Sequence, residues 1–259
     1  ILVVGENSMR YHWKEKTCGE NSDRYELTLP GRQEQLVEAV AATGVPTIVV
    51  LVNGRPLTVE WISSHIPAVI EAWEPGLYGG QAVGEILYGK VSPSAKLPVT
   101  IPRGAGQIGC YYNHKYCAYR FPYATGKTSP LYEFGFGLSY TTFKYSKPRL
   151  SASVISPSDS VRVSVDVTNT GSIDAEEVPQ LYIRDDVSSA TRPVKELKGF
   201  ERISLKAGET KTVSFLITPQ SLAYYDASMK YGVEPGTFTV MTGSSSRDKD
   251  LQTIRLTVR

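Results

Sequence analysis

The stretch Thr47–Asn53 reads TIVVLVN and decides the fold class of the first part of the chain. Five consecutive apolar residues, four of them β-branched, are typical of a strand that is buried on both faces in a parallel sheet. Upstream, Ile1–Glu6 reads ILVVGE, and downstream, Ala68–Trp73 reads AVIEAW. We predict a strand at each of these three places.

Amphipathic segments lie beside the predicted strands. Gln33–Ala42 follows the Pro30-Gly31 break and places its apolar residues on one face of a helix. These residues are Leu36, Val37, Val40 and Ala41. Gly79–Leu87 predicts a second, short helix. Strands that alternate with helices indicate an α/β domain, which we assign to residues 1–103.

The hydrophobic period changes from about residue 141. Val161–Val167 reads VRVSVDV, so apolar and polar residues alternate as in a strand with one buried face. Similar segments follow at Glu177–Ile183, Thr212–Ile217 and Thr237–Met241, with Gly-, Asn- and Pro-rich turns between them. This pattern predicts an all-β sandwich over residues 141–259, of the size of an immunoglobulin-like domain.

Residues 104–140 join these two parts and have no sustained hydrophobic period. They are rich in Gly, Pro and Tyr. A loop of this length without structure of its own is uncommon inside a compact protein. We therefore predict an ordered, aromatic-rich connection that packs over one or both domains.

Composition and charge argue against several classes of protein. The formal net charge is +2, from 28 basic and 26 acidic residues, and these form no basic stripe that would follow a phosphate backbone. We therefore expect no nucleic-acid partner. The longest apolar run, Pro46–Val52, is far shorter than the ~20 residues that span a bilayer, so we expect no membrane span.

Histidines and cysteines do not show the spacing of a metal site. The three histidines are scattered, at His12, His65 and His114. Without a Cys/His cluster we expect no metal, and we expect no cofactor, since Gly79-Gly80 lacks the Lys-Ser/Thr pair of a phosphate loop. Three cysteines fit no disulfide framework, so a Cys110–Cys117 bridge and reduced thiols both stay open.

Four stretches, in a fixed order, carry a resemblance to a known family. They are NGRPL at 53–57; WEPG at 73–76, running on through LYGK at 87–90 to VSPSAKLP at 91–98; YEFGFGLSYTTF at 132–143; and RPVKELKGF at 192–200, followed by LKAGET at 205–210. With these motifs the sequence resembles family 3 of the glycoside hydrolases over essentially its whole length. Residues 1–103 are similar to that family's C-terminal α/β sandwich, entered after its first strands, and residues 141–259 to its fibronectin type III-like domain.

The resemblance implies the C-terminal part of a retaining, exo-acting β-glycosidase, with β-glucosidase as the leading specificity and β-xylosidase or another sugar as the alternative. Family members place a (β/α) barrel upstream, which carries the Asp nucleophile. The expected partners are therefore that barrel and a β-linked oligosaccharide or glycoside substrate. A non-catalytic carbohydrate-binding or scaffold protein built from the same two domains is the rival interpretation.

The chain begins directly on a predicted core strand, without an initiator Met or a signal sequence. We expect it to be a piece of a longer protein and to be inactive on its own. The resemblance favours a secreted or periplasmic location for that protein.

Glu20 is the candidate proton donor. A retaining glycosidase needs one carboxylate that attacks the anomeric carbon and a second carboxyl, ~5–5.5 Å away, that protonates the leaving oxygen. In the family the donor lies in a Gly-Glu segment followed by Asp-Arg and a Leu-Pro-Gly turn, and CGENSDR at 18–24 with LTLPG at 27–31 is similar. Glu6 and Glu15 stay open as alternatives, although neither precedes an Asp-Arg pair. His12 lies in the same loop without the adjacent Asp of the family's His-Asp donors.

Other residues near the motifs are expected to shape the site. We predict that Asp23 and Arg24 pair with each other or with the loop backbone. Aromatic side chains stack on the apolar face of a sugar ring, so Trp13 and Tyr112 are predicted to bind the substrate. Trp73 is a third candidate for such a contact, with core packing as its more common role.

Overall fold

The computed structural model describes residues 1–8, 14–115 and 123–259. Within these ranges the chain forms two compact units. The first comprises Ile1–Val91, Thr100–Cys110 and Tyr123–Tyr132. The second comprises the remaining described residues, among them Ser92–Val99 and Glu133–Arg259. Segments of the predicted connection contribute to both units, and domain boundaries at 103 and 140 stay a prediction.

The first unit is built on a parallel sheet. Its strands are β1 (Leu2–Gly5), β2 (Ile48–Val52) and β3 (Ala68–Glu71), in the order β1-β2-β3. Its helices are α1 (Gln33–Ala41), α2 (Glu60–His65) and α3 (Gly79–Leu87). The strands, α1 and α3 lie within two residues of their predicted bounds. The sequence pattern does not predict α2, because six residues make fewer than two helical turns and show no sustained period.

The carboxyl edge of this sheet positions the candidate site. Apolar side chains of α1, α2 and β2 form the core beneath it, with Val37, Val49 and Ile62 fully enclosed. Just past the strands, the Glu6 N–H donates to Val52 O at 2.8 Å, and the Asn53 N–H donates to Trp73 O at 3.2 Å. Because parallel strands end at the same edge, the segments after β1, β2 and β3 meet there.

The second unit consists mainly of β-strands over its described residues. The strands are β4 (Phe143–Tyr145), β5 (Arg149–Leu150), β6 (Val154–Ile155), β7 (Val161–Asn169), β8 (Ala175–Glu177), β9 (Gln180–Asp185), β10 (Glu196–Phe200), β11 (Ile203–Leu205), β12 (Thr210–Ile217), β13 (Tyr224–Tyr225), β14 (Tyr231–Gly232), β15 (Gly236–Gly243) and β16 (Leu251–Val258). A short helix, α4 (Pro219–Leu222), follows β12, and a 3-10 turn, Asp248–Asp250, precedes β16.

Two larger sheets organise the second unit. One has the order β10-β9-β15-β16-β6, and the other has the order β12-β7-β4 with β5 also pairing with β7. Shorter ladders join β11 to β8 and β13 to β14. The alternation predicted for Val161–Val167 is confirmed, because every second residue of this stretch is at most 1% exposed.

The segment predicted as one strand over Glu177–Ile183 is two strands. β8 ends at Glu177 and β9 begins at Gln180. Pro179 lies between them and has no N–H to donate to a ladder, so the single strand was wrong. Among the described residues, no helix has the length and apolar character needed to cross a membrane.

Candidate active site

The candidate donor lies at the tip of a tight turn beyond β1. Ser22 N–H donates to Gly19 O at 3.1 Å, which closes the turn around Glu20 and Asn21. Gly19 and Asn21 both have positive φ, of 87° and 56°, which glycine and asparagine tolerate best. Glu20 is exposed to solvent, and the Lys16 ammonium donates to its backbone carbonyl. The turn therefore presents the Glu20 carboxyl outward.

Cys18 anchors the turn from below. Its side chain is 1% exposed, and its thiol donates to Glu74 Oε1 at 3.4 Å. Burial raises the pKa of the Cys18 thiol to about 11, and the hydrogen bond to Glu74 acts in the same direction. The thiol is thus protonated at neutral pH and serves as a donor and a packing group.

Arg55 holds the same turn from the side, from the segment after β2. Its Nη1 lies 2.7 Å from Asp23 Oδ1, and its Nη2 donates to the carbonyl oxygens of Thr17 at 3.2 Å and Ser22 at 3.1 Å. Its Nε lies 3.0 Å from a carboxylate oxygen of Glu6. One guanidinium group therefore joins the end of β1 to both sides of the Glu20 turn.

The predicted loop-shaping residues take part in this network. The Arg24 N–H donates to Asp23 Oδ1 at 2.9 Å, and the Arg24 side chain donates to Thr28 O at 2.9 Å and lies 3.5 Å from Glu6. The Arg24 N–H and then the Arg55 guanidinium lower the pKa of Asp23, so this exposed carboxyl stays ionised. The Arg24 side chain therefore contacts Glu6, the Glu26 carboxylate at 4.0 Å and the backbone of the loop.

Glu6 and Glu15, the alternative donors, have different surroundings. The Glu6 side chain is 0% exposed and accepts from both arginines and from the Gly54 N–H at 3.3 Å. Glu15 is exposed, and its carbonyl accepts from the Asn7 side chain at 3.3 Å. Glu6 is therefore committed to ion pairs, whereas Glu15 has an exposed side chain like that of Glu20.

An open cleft of about 560 Å³ lies beside the turn. Its lining is polar and comes from the loop and from the segment after β2: Gly19, Asn21, Ser22, Asp23, Gly54 and Arg55. Hydroxyl, amide, carboxylate and guanidinium groups in such a lining suit a ligand that carries many hydroxyl groups.

The structure describes Tyr112, one of the two aromatic residues that are predicted to bind the substrate. Trp13, together with His12, lies outside the described residues. Tyr112 belongs to the second unit, where its ring stacks on Phe134 at 4.2 Å between centroids and its hydroxyl accepts from the Leu197 N–H at 3.3 Å. This packing explains an aromatic residue at position 112 without a sugar, and substrate binding by Tyr112 stays a prediction.

Two residues of the carboxyl edge were not identified from the sequence. Arg55 stood within the NGRPL motif with no role assigned to it, and Glu71 within the apolar AVIEAW stretch. The signal in the sequence was a charged residue at a buried strand: Arg55 comes shortly after one, and Glu71 lies within one. Among the described residues, no group of three or more His, Cys, Asp or Glu side chains is arranged to hold a metal ion.

Comparison with known families supports both domains. The glycosyl hydrolase family 3 C-terminal domain matches residues 1–140, and a fibronectin type III-like domain matches residues 177–246. The first match covers more than half of the chain. The predicted fold class, an α/β sandwich followed by an all-β sandwich, is thereby confirmed.

Relatives and solved structures agree with these matches. A β-xylosidase of Formosa agariphila is 46% identical, over 100% of this chain and 35% of that protein. A periplasmic β-glucosidase of Salmonella typhimurium is 42% identical, over 95% of this chain and 32% of that protein. A β-glucosidase structure from Erythrobacter marinus has a TM-score of 0.92 and 40% identity, over 99% of this chain and 34% of that one.

The chain spans about a third of the length of the relatives it matches. The chain therefore belongs to glycosyl hydrolase family 3 and carries that family's C-terminal domain together with a fibronectin type III-like domain.

Proposed function

We propose that this chain supplies the general acid/base of a retaining, exo-acting β-glycosidase, and that Glu20 is the donor. The observation that carries the proposal is the position of Glu20: its carboxyl is exposed at the tip of a turn that Cys18 and Arg55 fix to the carboxyl edge of the sheet. Glu6, the other acidic candidate at this edge, is enclosed in ion pairs. A group that exchanges protons with a substrate must be accessible, as the Glu20 carboxyl is.

In the proposed reaction the nucleophile is an Asp of an upstream (β/α) barrel. The Asp carboxylate attacks the anomeric carbon while Glu20 donates its proton to the leaving oxygen, which departs as an alcohol. Glu20, now ionised, takes a proton from water as that water attacks the glycosyl-enzyme. Free sugar is released, both carboxyl groups return to their starting states, and the anomeric configuration is retained.

The proposed substrate is a β-linked glucoside at a non-reducing end. Relatives with the names β-glucosidase and β-xylosidase match the chain at similar identity, so β-xylosidase remains the second candidate. Trp13 and Tyr112 are kept as proposed sugar contacts. A secreted or periplasmic location is proposed from the family and from the periplasmic relative of Salmonella typhimurium.

The experiment compares two leaving groups in the protein that includes the barrel. We expect Glu20→Ala to lower kcat/KM for a β-linked disaccharide by ~10²–10⁴-fold, the usual contribution of general acid catalysis. For a dinitrophenyl β-glycoside the loss should stay below about tenfold, because such a leaving group departs without a proton. The ratio kcat/KM reports the glycosylation step, in which the donor acts.

Glu15→Ala is the matched control, because Glu15 is also exposed and precedes the same turn. It should leave both rates near those of the parent protein. Equal losses on the two substrates with Glu20→Ala would overturn the role of Glu20. Full activity of Glu20→Ala on the disaccharide would assign the donor to another residue, whereas no activity in the parent would favour the non-catalytic carbohydrate-binding or scaffold protein.

A further inference from the structure

Arg55 contacts the candidate loop at points on both sides of Glu20. Its Nη2 reaches the carbonyl of Thr17, three residues before Glu20, and the carbonyl of Ser22, two residues after it. Its Nη1 pairs with Asp23, the next residue along. These contacts bracket the turn, so the guanidinium plane fixes the distance between its two sides.

Arg55 is itself fixed from the side of the sheet. Its Nε lies 3.0 Å from the Glu6 carboxylate, and the Glu6 side chain is 0% exposed. The Glu6 backbone N–H continues the hydrogen bonding of β1 and β2 by donating to Val52 O at 2.8 Å. Glu6 and Arg55 therefore connect the turn to the edge of the sheet and fix its position there.

The geometry requires a guanidinium group. Arg55 engages two carboxylates and two carbonyl oxygens through three different nitrogens in one plane. A lysine would keep the positive charge beside Glu6, but its single nitrogen cannot reach acceptors spread around such a fork. Substitution of Arg55 by lysine therefore separates the effect of the positive charge from the effect of the guanidinium geometry.

We infer that Arg55 is a positioning residue for Glu20: it holds the donor turn at the sheet edge in the geometry that proton transfer requires. The inference rests on the proposed role of Glu20. A misplacement of about 1 Å at a reacting group costs ~10²-fold in rate. Loss of the Arg55 guanidinium contacts should therefore lower the rate on substrates whose leaving group must be protonated. A purely structural arginine would instead affect all substrates alike.

The test is Arg55→Lys in the protein that includes the barrel. We expect kcat/KM for the β-linked disaccharide to fall ~10–100-fold, and kcat/KM for the dinitrophenyl β-glycoside to fall less than about threefold. In a double variant with Glu20→Ala, Arg55→Lys should add no further loss on the disaccharide, because the group it positions is gone.

Arg103→Lys is the matched control. Arg103 lies in the same unit, its side chain is 18% exposed against 16% for Arg55, and it pairs with Glu60 and donates to Ser129 O at 2.8 Å. It should change the two rates equally or not at all.

Should Arg55→Lys fail to fold, Asp23→Asn provides the test, because Asp23 is exposed and its loss leaves Glu6 paired. That variant should lower the disaccharide rate about two- to fivefold and spare the aryl glycoside.

The outcomes separate the inference from the proposed function. If Glu20→Ala shows no dependence on the leaving group, both are overturned. If Glu20→Ala shows that dependence but Arg55→Lys affects both substrates equally, or neither, Arg55 does not position the donor while Glu20 keeps its role. A further loss of disaccharide activity in the double variant would also contradict the positioning role.

Discussion

At the scale of single residues, Glu71 at the end of β3 is an unusual carboxyl group. It is partly buried, and its partners are neutral donors: the Trp73 N–H at 3.0 Å and the Asn53 amide at 3.3 Å. Burial raises the pKa of Glu71 from 4.5 to about 7, and the two hydrogen bonds offset only part of this effect. The folded chain therefore keeps a proton that the unfolded chain has lost between these pH values.

This gives a prediction on pH and stability. Because the pKa of Glu71 is raised on folding, its favourable contribution is full below about pH 4.5 and is lost as the pH rises through 7. Glu71→Gln stays neutral, so relative to the parent it should gain roughly 1–3 kcal/mol of unfolding free energy between pH 5 and pH 8. Urea midpoints at several pH values measure this difference. A difference that is constant with pH would contradict the prediction.

The sequence identifies the donor loop better than it identifies what holds it. Glu20, Asp23 and Arg24 lie within seven consecutive residues, so a local motif brings them together. Arg55 and Glu74 are distant in sequence and meet the loop only because parallel strands end at one edge. Such partners follow from the register of the sheet, which no local pattern supplies.

At the scale of elements, long periodic segments are predicted well and short ones are not. β2 and β7 have strong patterns, and their bounds agree with the prediction within two residues. Strands of two or three residues such as β5 and β11 give too short a pattern to recognise. Their position depends on pairing with β7 and β8, a tertiary contact that a local sequence pattern does not contain.

A buried ion pair links several elements of the second unit and gives a stability prediction. Lys96 Nζ lies 2.9 Å from Glu177 at the end of β8 and donates to Gly137 O at 3.2 Å, and the Tyr145 hydroxyl donates to Glu177 at 2.9 Å. The Glu177 side chain is only 3% exposed. Lys96→Met should therefore cost ~3–5 kcal/mol, because it leaves a buried carboxylate without its cation. Chemical denaturation of the parent and the variant measures the loss.

Arg149→Met is the control for this prediction. Arg149 and Asp166 also form an ion pair, at 2.7 Å, but the two side chains are 54% and 31% exposed. Its loss should cost less than ~1 kcal/mol. The double variant Lys96→Met with Glu177→Gln should recover much of the stability that Lys96→Met loses. Similar costs for Lys96→Met and Arg149→Met would show that burial of Glu177 is not what makes the first pair important.

At the scale of the whole molecule, the residues of the proposed acid/base chemistry belong to one of the two units. The acid/base candidate and its arginine network lie entirely in the first unit. The second unit is held by its own apolar core, with Val163, Val240 and Leu256 fully enclosed. The change of hydrophobic period along the sequence predicted an α/β part followed by an all-β part. The assignment of short segments such as Ser92–Val99 to the second unit was not predicted, because it depends on long-range contacts.

The 259-residue chain by itself should not hydrolyse a glycoside, because the proposed mechanism takes its nucleophile from the barrel. We expect no turnover of a dinitrophenyl β-glycoside, which needs no proton donor and is therefore the most sensitive substrate for a surviving nucleophile. The control is the same chain carrying Glu20→Ala, compared with the parent chain on a β-linked disaccharide, since a contaminating glycosidase would give equal rates in both preparations. Disaccharide turnover by the parent chain that Glu20→Ala abolishes would show that both carboxyl groups lie within these residues, and the barrel would then have no part in the chemistry.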